Sequence, residues 1–126
     1  MRRLARLARL APLAVAVAVL GAACASTAKP TASRAFCTAA DRYNTELERA
    51  QKKGVADVER QLPLVEALAA AAPRTIRADA ETFVDAMRRV QTDPAIRDDP
   101  AVLKAVENVN RFANQACNVY ERDSGI

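Results

Sequence analysis

Histidine and tryptophan are absent from the 126-residue chain, and only three glycines occur. Without histidine, the Ser-His and Cys-His catalytic pairs and the commonest transition-metal ligand are excluded. The glycines form no phosphate-cradling loop. The serines lie at positions 26, 33 and 124, where we expect a tether, a helix cap and a tail, and none has a base partner. The sequence therefore predicts no enzyme and no bound metal or cofactor.

Signals for β-strands are also scarce. Aromatic residues make up 4% of the chain, and alternating β-branched residues are few. Apolar residues, many of them alanine, recur instead at three- and four-residue steps, which is the period of one helical face. These patterns predict an all-α fold.

Acidic residues are missing from the start of the chain. The first acid is Asp41, whereas the first nine residues carry four arginines. These four account for the whole excess of 19 basic over 15 acidic side chains, so the remainder is neutral. The sequence pI of about 9.3 therefore belongs to the leader. We expect no nucleic-acid binding by the folded part, because such binding needs a basic surface.

Residues 1–25 have the three-part layout of an export signal peptide. The arginines are followed by an apolar stretch from Leu10 to about Ala23 and then by small residues. The stretch is shorter than the roughly 20 apolar residues that a transmembrane helix needs. Signal peptidase could cut before Ser26. Alternatively, the segment ending at Cys24 resembles a bacterial lipobox, in which the cysteine thiol takes a diacylglyceryl group and becomes the first residue.

The three cysteines are Cys24, Cys37 and Cys117. Export places them in an oxidising compartment, where thiols tend to pair and an odd count needs an explanation. Lipidation of Cys24 leaves Cys37 and Cys117 to form one disulfide. The alternative is a reactive thiol or a redox pair, but the chain has no Cys-x-x-Cys motif. We therefore favour a lipid anchor on Cys24 and a structural Cys37–Cys117 disulfide.

After the leader, residues 26–32 are predicted to be a flexible tether and residues 33–126 a helical domain. Ser33 and Gly54 are placed to cap the first helix. Pro63 lies inside the second helix, where we expect a kink or a break. The residues Asp93-Pro94 are expected to start a short turn before the last helix. The four helices are predicted at about Arg34–Lys53, Val55–Ala71, Pro73–Val90 and Pro100–Arg122.

The helix order and the cysteines together predict a four-helix up-down bundle. In that topology the first and fourth helices are antiparallel neighbours. Cys37 lies near the start of the first helix and Cys117 near the end of the fourth, so both belong to the same end of the bundle. A disulfide between helices one and four is therefore consistent with the topology.

Two groups of carboxylates are candidate metal ligands. Glu81 and Asp85 share one face of the third helix, and Asp93, Asp98 and Asp99 cluster in the connection that follows. A di-metal bundle needs Glu-x-x-His motifs, and an EF-hand needs its own spacing and a glycine. Both groups are interpreted as solvated surface, with Asp99 as a helix cap.

Asparagines form a stripe on the fourth helix. Asn110, Asn114 and Asn118 step by four residues beside the apolar face. The stripe is interpreted as a polar rim of the core. Together with Tyr43 or Tyr120 it is alternatively a surface that recognises a peptide or a glycan.

Four features occur together in this sequence. They are a leader ending near Cys24, a cysteine in the first mature helix, an Ala72-Pro73 pair before a later helix and a cysteine in the last helix. With its Ala/Arg-rich composition, the chain resembles small exported proteins and lipoproteins of high-GC Gram-positive bacteria, most of them uncharacterised. The resemblance implies an extracytoplasmic location and a helical fold. It implies no activity and no functional residues.

These observations lead to two functional expectations. The first is a non-enzymatic interaction module of the cell envelope, anchored to the membrane through Cys24, that presents a helical face to another envelope protein or a wall component. The second is a carrier of a small molecule or peptide, with a pocket between helices two and three. We expect Leu62, Val65, Phe83 and Met87 to line that pocket.

Overall fold

The computed structural model describes residues 29–119. These residues form helices joined by connections and contain no strand. The all-α fold predicted from the sequence is confirmed. The predicted signal peptide, including Cys24, lies outside the described residues. The elements are α1 (Arg34–Lys53), α2 (Val58–Ala70), α3 (Arg77–Arg89), a 3-10 helix (Pro94–Asp98) and α4 (Pro100–Cys117).

The helix α1 has the bounds predicted from its caps. The Ser33 hydroxyl accepts a hydrogen bond from the backbone N–H of Phe36 at 3.1 Å. At the other end, Gly54 adopts the left-handed conformation with φ of 67°, which glycine enters without steric cost. The apolar face between the caps buries Phe36, Ala39, Ala40, Tyr43 and Ala50.

The predicted start of α2 is wrong by three residues. Val55 is 61% exposed and belongs to the connection. Asp57 starts the helix instead, because its carboxylate accepts a hydrogen bond from the backbone N–H of Arg60 at 3.1 Å. The helix continues through Pro63 without a break. Pro63 is exposed, so its ring faces away from the core.

The predicted start of α3 and end of α4 are also wrong. Pro73 does not open α3; its carbonyl closes a separate turn by accepting from the N–H of Ile76 at 3.1 Å. The helix begins only at Arg77. The helix α4 ends at Cys117 because Asn118 adopts the left-handed conformation, with φ of 53°. Asparagine tolerates that conformation better than most residues.

Each helix packs against the next along the chain, and α1 also contacts α4. Polar contacts join each successive pair. Glu46 of α1 pairs with Arg60 of α2 at 3.3 Å, and Glu66 of α2 pairs with Arg88 of α3 at 2.7 Å. The Asn108 amide of α4 donates to Asp79 of α3 at 3.1 Å.

Most of the buried apolar residues belong to two separate clusters. The main core runs from Phe36 at the start of α1 to Val119 after α4, and Phe36, Val65, Leu68 and Val109 are its largest fully buried side chains. The second core contains Ala86, Val90 and Ile96, with Val58 and Val102 packed against it. It lies where α3 ends and α4 begins.

Within residues 29–119, each helix is too short or too polar to be a membrane span.

Candidate functional site

The predicted disulfide between α1 and α4 is present. The sulfurs of Cys37 and Cys117 are bonded, and their Cα atoms are 5.4 Å apart, an ordinary separation for a disulfide. Phe36 and Phe112 stack edge to face beside it, with ring centroids 5.5 Å apart. The disulfide is part of the packed wall between the two helices.

The carboxylates considered as metal ligands are placed apart or used in other contacts. Asp85 pairs with Arg89 at 3.2 Å, and Asp93 approaches the same guanidinium at 3.7 Å. The Asp99 carboxylate accepts from two backbone N–H groups at the start of α4. In the part of the chain that the structure describes, no three metal-ligating side chains are grouped together.

The asparagine stripe of α4 is half-buried along its length, as Asn110, Asn114 and Asn118 all are. Asn118 ends the helix, and its side-chain oxygen accepts a hydrogen bond from Lys29 at 3.3 Å. Tyr43 is buried and packs edge to face on Phe83, with ring centroids 5.6 Å apart. It is therefore a core residue and does not extend the stripe. Tyr120 lies outside the described residues.

An apolar pocket lies between the main core and the second core. Its volume is about 270 Å³, slightly below the range of roughly 300–1,000 Å³ for pockets that hold drug-sized ligands. The first residues of α2, the second half of α3, the 3-10 helix and the start of α4 frame it. Val106, its lining residue nearest Cys117 along α4, is eleven residues from the disulfide, which is about 16 Å of helix.

The lining of the pocket divides by exposure into a floor, a wall and a mouth. The floor is buried: Gln61, Phe83, Ala86, Val90 and Ile96. The wall is half-buried: Val58, Met87, Val102 and Val106. The mouth is exposed: Ala56, Arg97 and Leu103.

The predicted pocket residues divide between two places. Phe83 and Met87 line the pocket, but Val65 is fully buried in the main core and Leu62 packs against that core. The pocket therefore lies further toward the 3-10 helix and α4 than the sequence predicts. Leu62 and Val65 are directed instead toward the interface that α2 shares with the rest of the main core.

Gln61 is a polar residue in the apolar floor. It is 7% exposed, and its side chain forms no hydrogen bond with the described residues. No side-chain nitrogen or oxygen of residues 29–119 is sealed from solvent without a partner. Gln61 lines the pocket, and its side-chain amide, which has one acceptor and two donors, is not sealed from solvent.

Arg97 is the charged residue of the pocket lining. Among residues 29–119, no carboxylate forms an ion pair with it. Its acidic neighbours Asp98 and Asp99 do not line the pocket, and Asp99 caps α4. The pocket thus combines an apolar wall, a buried amide and a cation at its mouth.

A second polar feature, which the sequence analysis missed, surrounds Glu46. This carboxylate is 8% exposed and pairs with Arg49 and Arg60. Its hydrogen bond from Arg49 holds the pKa of Glu46 below its ordinary value of 4.5, against the opposing effect of burial. The sequence did contain a signal for this feature: Glu46 is a charged residue within the apolar stripe that contains Tyr43, Leu47 and Ala50.

Comparison with known proteins adds no assignment: the chain matches no family model, no curated protein and no solved structure.

Proposed function

We propose that the protein is an exported, non-enzymatic binding module that holds the apolar part of a small ligand. The observation that supports this proposal is the apolar pocket framed by three helices and the 3-10 helix. A largely apolar concave site with a few polar groups is the usual form of a small-molecule site. Among the residues brought together there, Gln61 and Arg97 are polar, and they provide no nucleophile and no paired acid and base.

The proposal includes the up-down order of the helices. The connections after α1 and α2 are short, which favours antiparallel neighbours. The disulfide joins the start of α1 to the end of α4. In this arrangement the pocket lies at the end of the bundle away from the disulfide.

We place the module on the outer face of the cytoplasmic membrane, anchored through a lipid on Cys24. The support comes from the leader and from the fact that Cys37 and Cys117 are used in the disulfide. Intact mass spectrometry of the protein from its native envelope tests the anchor. We expect a chain that begins at Cys24 with a diacylglyceryl group and gains two hydrogens on reduction. An unlipidated chain that begins at Ser26 would show a released protein.

A second candidate function is the docking of another envelope protein or a wall component. Leu103 favours it, since this large apolar side chain is 55% exposed at the mouth of the pocket. A photo-cross-linking residue at position 103 in intact cells distinguishes the two functions. A specific adduct with another envelope component supports docking, and its absence alongside ligand binding supports the carrier.

The carrier proposal is tested with 1-octanol as the probe. We expect calorimetric binding to the exported, processed protein, because the alkyl chain leaves water for the apolar wall. Val58→Phe fills the pocket and should abolish binding. Val55→Phe is the matched control: Val55 is exposed and outside the lining, so binding should persist.

Both variants are first compared with the wild type by thermal melting, so that loss of the fold is not mistaken for loss of the site. Equal binding by both variants would contradict the pocket as the site. If the folded wild type binds neither 1-octanol nor any related medium-chain ligand, the carrier proposal itself is contradicted.

A further inference from the structure

We infer that the ligand is a medium-chain carboxylate with a second polar group, a hydroxyl or carbonyl, on the part that enters the pocket. This inference rests on the carrier function proposed above and names its ligand class. It follows from three properties of the pocket: its size, the unpaired amide in its floor and the cation at its mouth.

The size of the pocket limits the ligand. A water molecule occupies about 30 Å³ of liquid. A cavity of about 270 Å³ therefore accommodates on the order of nine non-hydrogen atoms. A chain of about eight carbons fits this space, and the rest of a longer chain would lie outside the pocket.

The amide of Gln61 favours a polar group inside the cavity. A buried amide without a partner costs free energy, whereas an amide that meets a complementary group contributes a net hydrogen bond. Gln61 is more than nine-tenths buried and forms no hydrogen bond with residues 29–119, but its amide remains open to water. A purely apolar ligand would displace water from this amide and leave it unpaired.

Arg97 favours a negative charge at the mouth. Its guanidinium has five donors in a planar fork that matches a carboxylate. It is exposed and forms no ion pair within the described part of the chain. A ligand whose chain enters the pocket leaves its head group beside this cation.

The test compares octanoate, 8-hydroxyoctanoate and 1-octanol by calorimetry on the exported, processed protein. We expect 8-hydroxyoctanoate to bind about threefold tighter than octanoate, because its hydroxyl meets the Gln61 amide. In Gln61→Met this order should reverse, since the hydroxyl then enters a wholly apolar floor.

The second arm uses Arg97→Gln. We expect it to weaken both carboxylates about three- to fivefold, as for an exposed ion pair, and to leave 1-octanol unchanged. Arg74→Gln is the matched control, because Arg74 is an exposed arginine outside the pocket. It should alter none of the three affinities.

The outcomes separate this inference from the function on which it rests. The ligand class is overturned if the three ligands bind with equal affinity and neither Gln61→Met nor Arg97→Gln changes that affinity. If Val58→Phe still abolishes their binding, the carrier function remains supported. The ligand class is also overturned if octanoate binds tighter than 8-hydroxyoctanoate to the wild type. If the folded wild type binds none of the three, both proposals fail.

Discussion

Cys37 and Cys117 are expected to contribute strongly to stability. They close a loop across 80 positions, and in the chain-entropy model such a loop stabilises the fold by about 4.5 kcal/mol. The helices they join rely heavily on alanine, as the buried Ala39, Ala40, Ala105 and others show. Small side chains bury little area, so the covalent link matters more here than in a core of larger residues.

We expect Cys37→Ser to lower the Tm by about 8–40 °C, since removing a native disulfide costs a small domain about 2–5 kcal/mol. Reductant should lower the Tm of the wild type to the same extent. Adding reductant to Cys37→Ser is the control for effects outside the disulfide and should leave the Tm of that variant unchanged. Equal melting temperatures with and without reductant would contradict a stabilising disulfide.

Glu46 is the second residue with a defined energetic role. Its carboxylate joins Arg49 of its own helix to Arg60 of α2. The contact keeps the pKa of Glu46 below 4.5 in the folded state. A carboxylate with a lowered pKa stabilises the fold above its unfolded pKa, and the contribution disappears as the pH falls through the folded value.

We therefore expect Glu46→Gln to destabilise the protein at pH 7 and to have a smaller effect below about pH 4.5. Thermal melts from pH 7 to pH 3 measure the difference from the wild type at each pH. Glu81→Gln is the control, because Glu81 is exposed and has no ion pair within the described residues. A constant difference between Glu46→Gln and the wild type across this range would rule out the electrostatic role.

At the scale of elements, the caps decide where the helices begin and end. The bounds of α1 were predictable because Ser33 and Gly54 are both strong cap residues. The start of α2 was not predictable, because the apolar residue Val55 continues the helical pattern, whereas Asp57 is the residue that caps the helix. Pro73 was misleading, since proline favours the first turn of a helix and also favours an isolated turn.

Asp99 provides a direct test of capping. Its carboxylate accepts from the N–H groups of Ala101 and Val102 at 2.8 and 3.3 Å. Asp99→Ala should destabilise the fold by about 1 kcal/mol and lower the Tm by several degrees. Asp98→Ala is the adjacent control, because Asp98 is exposed and caps no helix. Equal melting temperatures for the two variants would exclude a capping contribution.

At the scale of the whole molecule, the pocket lies between two clusters of buried residues. The main core and the second core are separate clusters, and Phe83 of the first meets Ala86, Val90 and Ile96 of the second around the pocket. Four elements supply its lining. The space between the two cores is therefore a property of the tertiary arrangement and not of any one helix.

This origin explains which parts of the site were predictable. Phe83 and Met87 were expected in a pocket because they belong to the apolar face of α3. Ile96 was not expected there, because it lies in a 3-10 helix of five residues, and a pattern that short does not indicate which face is buried. Gln61 and Arg97 gain their significance only from the neighbours that the fold gives them, which no local periodicity indicates.

Ligand binding in this pocket is tested most directly by methyl NMR of the exported, processed protein during titration with octanoate. We expect chemical-shift changes at the pocket methyls of Met87, Val102 and Leu103. The methyls of Leu68 and Val119, buried in the main core, should be unchanged. Shifts spread evenly over both sets, or no shifts at any concentration, would contradict a binding module built around this pocket.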